Sequence, residues 1–225
     1  MRILRSAPSD RGQSVIEQRL ERLPRAAIAV FALREALRAA PLISAKRAED
    51  AARLSALSFR ALLTAGAAIE DPEARRSARI ASDAVFSAAC RETVAYPALY
   101  AAARVGVAVL APTAAAAAYA GFAAACSSAR AAASRAALLP EAAQELAELE
   151  AGRAAETLRA APLWPFGAPE PFDRAVERLA AACAAPDAPA AGWIGWYRSR
   201  LGGWPALNDG ERAAALSAWS VPPQG

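Results

Sequence analysis

Any chemistry in this chain has to be done without histidine, because none occurs among its 225 residues. That removes Ser-His-Asp and Cys-His nucleophilic catalysis, histidine metal ligation and imidazole acid–base work. Cys90, Cys126 and Cys183 are odd in number and far apart, with no C-x-x-C pair, so they make neither a zinc set nor a redox motif. Their alanine-rich neighbours point to buried, reduced thiols. Neither a G-x-x-x-x-G-K-[ST] loop nor a G-x-G-x-x-G turn is present. We therefore assign no catalytic residue, no metal ligand and no cofactor from the sequence.

Carboxylates are what remains for an enzyme. Glu145 and Glu148 lie three apart and share a helix face, with Glu141 one turn earlier. Around them Glu150 with Arg153, and Glu156 with Arg159, have the spacing of intrahelical ion pairs, so this stretch reads as a solvated face. The same holds for Glu49 and Asp50 with Arg53, and for Glu17 and Glu21 beside Arg22. A carboxylate enzyme in a helical fold is the alternative. It requires a polar pocket that gathers Glu145 and Glu148 with acids from another helix.

The most specific local signal is aromatic. Trp193, Trp196, Tyr197, Leu201 and Trp204 fall within a dozen positions, and helical spacing sets 193, 196, 197 and 200 on one side. Gly192, Gly195, Gly202 and Gly203 flank or interrupt this helix, which implies close packing or tight turns. Two uses fit. The rings can plug a bundle short of large side chains elsewhere. Alternatively Trp193, Trp196, Tyr197, Arg200 and Trp204 form a partly exposed anchor for a protein partner, since Trp, Tyr and Arg dominate binding hot spots.

These residues have to be positioned by helices. The apolar fraction is 56%, much of it alanine, which favours thin, closely approaching helices; alternating β-branched runs are absent. Punctuation predicts helices over 14–23, restarting after Pro24 to Ala40, and from an N-cap at Ser44 to Gly66 or Ala68. Asp71-Pro72-Glu73 starts another, reaching Glu92. Further boundaries fall at Tyr96-Pro97, Ala111-Pro112-Thr113 and Leu139-Pro140-Glu141, the last opening a helix from Pro140 to Ala160. Pro162–Pro171 cannot be regular helix, and shorter helices follow over 172–184, 193–201 and 209–218, with a proline-rich joint at Pro186–Pro189. All five tryptophans, Trp164 to Trp219, lie in this last part. The expected fold is an all-α, alanine-rich multi-helix bundle over 1–161, with a Trp- and Pro-rich C-terminal part over 162–225 packed on it as one unit.

The net charge is +4, carried by arginine with Lys46 the single lysine, which looks like the codon usage of a GC-rich genome. Charges are spread along most helices. The best basic cluster, Arg75, Arg76 and Arg79, is offset by Glu70, Asp71 and Glu73, so a nucleic-acid partner is not favoured. No charge occurs from Val105 to Ala129, a length that can span a bilayer. Its alanine content and Pro112 argue instead for a buried hairpin, with membrane association the less favoured reading. The N-terminus has no apolar stretch of signal-peptide length, and a cytoplasmic location is expected.

Pro162-Leu163-Trp164-Pro165 with Gly167, followed by W-x-x-W-Y-x-x-R-L-x-G from Trp193 to Gly203, resembles a module of uncharacterised proteobacterial proteins in which an alanine-rich helical stretch precedes the motif. The motifs cover the C-terminal third. Here the segment after them, Asn208 to Trp219, is more alanine-rich and shorter than in that family. The resemblance implies a bacterial source and no particular activity. The functional expectation is a non-catalytic helical interaction module, an adaptor or regulatory subunit, with a protein partner; alanine-rich helices can also pair two copies as a homodimer.

Overall fold

Proline and glycine set most of the element ends. The computed structural model describes residues 10–43, 48–91, 95–129, 132–184, 191–204 and 206–217. Helix α1 (Asp10–Glu21) ends just before Pro24, which occupies the extended N-cap position of α2 (Arg25–Ala39). Pro41 closes α2 in a single 3-10 turn, Ala40–Leu42. Helix α3 (Ala48–Glu70) follows; the expected cap at Ser44 lies outside the described residues. Asp71 caps the next segment, its carboxylate accepting from the Glu73 backbone N–H at 2.8 Å, and a 3-10 turn over Pro72–Ala74 leads into α4 (Arg75–Ala89). Pro97 sits in the first turn of α5 (Tyr96–Leu110), and extended Ala111 before Pro112 separates it from α6 (Ala114–Ser128). The remainder are α7 (Ala132–Glu150), α8 (Ala155–Ala160), α9 (Glu170–Ala182), α10 (Ala191–Leu201) and α11 (Asp209–Leu216). The protein is an all-α multi-helix bundle, with no strand among the described residues.

Three boundaries differ from the sequence expectation. Helix α3 passes Gly66 and Ala68 and continues to Glu70, because Gly66 serves to admit the Trp204 ring rather than to end the helix. Pro140 lies inside α7 instead of opening a new helix. Leu138, Ala142, Leu146 and Leu149 are buried on both sides of it at helical spacing, so packing carries the helix across the lost hydrogen bond. The helix then stops at Glu150 and does not reach Ala160. Gly152, with φ +89°, donates to Leu149 O at 3.1 Å and the Arg153 N–H reaches Glu148 O at 2.9 Å, the two bonds of a Schellman cap.

Helices α2 and α3 run through the middle. Every α2 residue from Ala27 to Ala39 is buried, and Leu54, Phe59, Leu62 and Leu63 of α3 are fully buried. Apolar residues of α1, α2, α6 and α7 form one cluster. A larger one joins α3, α4 and α5 to Trp164, Phe172, Leu179 and the α10 aromatics, so the two parts of the chain share a core.

The uncharged run from Val105 is folded as the α5–α6 hairpin. Each helix has 15 residues, roughly 22 Å, short of a hydrocarbon core of about 30 Å. Gly121 lets the pair approach, its missing side chain leaving room for the Arg104 stem. Among the described residues one stretch, Asp50–Glu70, is long and apolar enough to cross a membrane; here it is the largely buried core helix α3.

Candidate functional site

The five residues expected to anchor a partner, Trp193, Trp196, Tyr197, Arg200 and Trp204, are all in the interior, with exposures of 1–6%. The expected partly exposed surface is therefore not formed by them. The structure gives them the packing use instead. Phe59 of α3 lies 5.2 Å from the Tyr197 ring and 6.0 Å from Trp196, and Trp196 meets Trp193 and Trp204 edge-on at 5.5 and 5.4 Å. The Tyr197 hydroxyl donates to Leu37 O at 3.1 Å, and burial raises its pKa, keeping the phenol neutral. Arg200 pairs with Glu211 between the faces of Trp196 and Trp204, at 5.7 and 5.3 Å from the ring centroids. Glu211 also completes a capping box with Asn208 at the start of α11.

The two quoted motif segments meet each other. Leu163 N–H donates to Leu201 O at 2.9 Å, and Trp204 N–H to Arg159 O at 2.8 Å. Gly203, with φ +116°, lies so close to the Ala160 carbonyl that no Cβ fits between them. Leu201 and Gly203 thus hold the Pro-Leu-Trp-Pro stretch against α10, a structural use for the glycine and leucine of that pattern.

Sequence reasoning missed a second buried cluster. Arg34, Glu35 and Arg38 of α2 meet Glu145 of α7 in the interior, with Glu141 at the edge, 3.8 Å from Arg38. Glu145, expected on a solvated face, is 4% exposed, and its Oε1 accepts from Arg34 at 2.7 Å and from Arg38. Arg38 also pairs with Glu35, donates to Leu163 O at 2.7 Å and lies 5.1 Å from the Trp164 ring. Arg34 donates to Leu158, Ala161 and Pro162 carbonyls at 2.8–2.9 Å. Burial, with the Glu145 charge adding to it against the pull of Arg38, raises the Glu35 pKa to about 7. Burial depresses Arg38, but Glu35 and Glu145 outweigh it and hold the guanidinium charged.

The gathering of acids that an enzyme would need is thus half met. Glu145 joins Glu35 and Glu141, while Glu148 stays at the surface with Arg153 and Gln144. Glu35 and Glu145 are sealed while Glu141 reaches the edge, and the arginines spend donors on backbone carbonyls. This geometry clamps α7 and the segment after α8 onto α2. It offers a substrate no way in. Among the described residues no three Cys, Asp or Glu side chains converge to hold a metal ion.

On the outside, α4 and α5 present a different aromatic set. Phe86 and Tyr96 are 45% and 40% exposed. Tyr96 stacks on Tyr100 at 5.4 Å, Phe86 meets Tyr100 at 6.0 Å, and the Arg104 guanidinium lies 5.7 Å from the Tyr100 ring. Partial burial, reinforced by Tyr100 and Cys90, raises the Tyr96 pKa and keeps its hydroxyl neutral. Helical spacing produces this set: Tyr96, Tyr100 and Arg104 are successive i, i+4 neighbours, and Phe86 faces them from α4. The pairs Tyr96/Tyr100 and Tyr100/Arg104 were legible in the sequence. Their common face with Phe86 required knowing that α4 packs along α5.

Comparison with family models, curated proteins and solved structures gave no match.

Proposed function

We propose that the chain is a non-catalytic helical protein–protein interaction module, an adaptor or regulatory subunit in a bacterial cytoplasm, and that its binding face is α4–α5 rather than the C-terminal tryptophans. The observation that carries this reading is the ring set Phe86, Tyr96 and Tyr100 with Arg104 at the surface. Aromatic side chains ordered against one another, beside an arginine, offer large contact area at small entropic cost, the pattern of a binding hot spot. Among the described residues the tryptophans are all buried, and Phe166, 92% exposed, is an isolated ring outside this set. The test is co-purification from native cells of wild type and Phe86→Ala/Tyr100→Ala, with a melting curve as folding control. A protein recovered in stoichiometric amount with wild type and lost with the folded variant supports the reading. A partner set unchanged by the substitution removes it.

A further inference from the structure

Among the described residues many arginines are paired with acids. Arg19 pairs with Glu150, Arg34 and Arg38 with Glu145, Arg159 with Glu70, Arg174 with Glu170, Arg198 with Glu177 and Arg200 with Glu211. Arg75, Arg76 and Arg79 of α4 are exposed and have neither an ion pair nor a hydrogen bond among the described residues. Arg91 donates only to its own Ser87 carbonyl, at 3.2 Å. The acids on this helix and its lead-in are Asp71, which caps the 3-10 turn, and the exposed Glu73 and Asp83, the latter one turn beyond Arg79. Arg75, Arg76 and Arg79 therefore keep their guanidinium groups free for a ligand, as exposed Arg178 does on α9, and on α4 they stand next to the exposed rings.

That charge adjoins the aromatic set. On α4, Arg75, Arg79 and Phe86 fall within about 40° of one another around the helix axis, on the side that faces α5. Serine 82, between them, donates to Ala103 O of α5 at 2.6 Å, which fixes this side as the α4–α5 seam. At the far end of the seam Arg75 and Arg25 line a cleft of about 190 Å³ whose floor is Ala29, Ala68, Ile69 and Val109. Rings thus occupy the Tyr96 end, and at the Val109 end Arg75 stands beside Arg25, which donates to Val109 O at 2.9 Å. The distance between is roughly 20 Å, the length of a helix of about 13 residues or an extended strand of about six.

We infer that the α4–α5 seam binds an acidic peptide segment of a partner protein, a large apolar side chain of that segment resting on Phe86, Tyr96 and Tyr100 and its carboxylates meeting Arg75 and Arg79. This rests on the interaction reading above and adds the chemistry of the partner. A second copy of this chain is the competing occupant, since Glu73 and Asp83 of one copy can face the arginines of another; concentration-dependent dimerisation of the chain alone, lost in Phe86→Ala/Tyr100→Ala, would overturn the peptide. Single-stranded nucleic acid needs open ring faces. Here Tyr96 and Tyr100 cover each other and Arg104 lies over Tyr100.

The test is to pan the full chain against random peptides of about fifteen residues, a length that spans the seam, and to measure selected peptides by fluorescence anisotropy. Expected are sequences rich in Asp and Glu with one or two aromatic or large aliphatic residues. Their affinity should fall at least about tenfold in Arg75→Glu/Arg79→Glu and in Phe86→Ala/Tyr100→Ala, and severalfold when salt is raised from about 50 to about 300 mM. Arg174→Glu on α9 should leave it unchanged. Neutral peptides lost only with Phe86→Ala/Tyr100→Ala would overturn the acidic partner while sparing the binding face. Acidic peptides insensitive to both double variants, or no selected peptide at all, would overturn both. Tighter seam-dependent binding of oligo-dT or of phosphatidylserine vesicles would reassign the face and overturn the proposal.

Discussion

Truncating Glu145 to alanine tests the buried clamp between α2 and α7. Its Oε1 is the shared acceptor of Arg34, at 2.7 Å, and of Arg38, and all three side chains are buried. Removing one member of a buried ion cluster costs about 3–5 kcal/mol, because the opposite charge is left without its partner. The low end applies here. Arg34 keeps three carbonyl acceptors, and Arg38 keeps Glu35 and Leu163 O. The expected loss is therefore about 3 kcal/mol, read as a fall of about 1 M in the urea midpoint for a slope near 3 kcal/mol per M. Glu150→Ala is the matched control. It breaks a bidentate pair with Arg19 at 2.8 and 2.9 Å, but both side chains are solvated, so about 1 kcal/mol or less is expected. Circular dichroism during urea titration measures both. Equal losses in the two variants would refute the argument that burial makes the Glu145 cluster a clamp.

Three other outcomes follow from the same structure. Glu35 has a folded pKa of about 7, above its ordinary 4.5, so folding takes up a proton between these values and its contribution to stability falls as pH rises through that window. The stability of wild type relative to Glu35→Gln should therefore drop by up to roughly 1 kcal/mol per pH unit from about 4.5 to about 7, and a pH-independent difference would contradict it. Gly66→Ala drives a methyl group into the Trp204 ring and should cost about 1–3 kcal/mol with a change in tryptophan emission, checked by thermal melting and fluorescence. Trp196→Ala should cost about 3–5 kcal/mol, against less than about 1 kcal/mol for exposed Phe86→Ala; a reversed order in the melts would mean that core and surface rings have been confused.

The all-α bundle was legible because its terminators act locally. Pro24, Pro41, Pro72, Pro97 and Pro112 each stand where one helix gives way to the next. Pro140 misled, since a proline's local penalty can be outweighed by a stripe such as Leu138, Ala142 and Leu146. The stop of α7 is a local signal, the glycine of Ala151-Gly152 in its left-handed cap. Burial of Glu145 was not visible from its own helix, because its partners lie 107 and 111 residues away. A clue lay in α2, where apolar residues surround Arg34, Glu35 and Arg38 on every side and leave no solvated face. The aromatic candidates were correct as to which residues cluster, but not as to their exposure. Trp196 and Trp204 are needed to fill space that alanine leaves empty, whereas Phe86 and Tyr96 stay outside because α5 and α4 already meet through Ser82 and Gly106.

The most direct measurement replaces Tyr100 with the photoreactive p-benzoylphenylalanine and irradiates cells that express the protein, with the same replacement at Arg174 for comparison. A discrete crosslinked band to another protein from position 100 and none from position 174 is the result this account predicts. No band from position 100, with the protein folded and expressed, would contradict α4–α5 as the binding face.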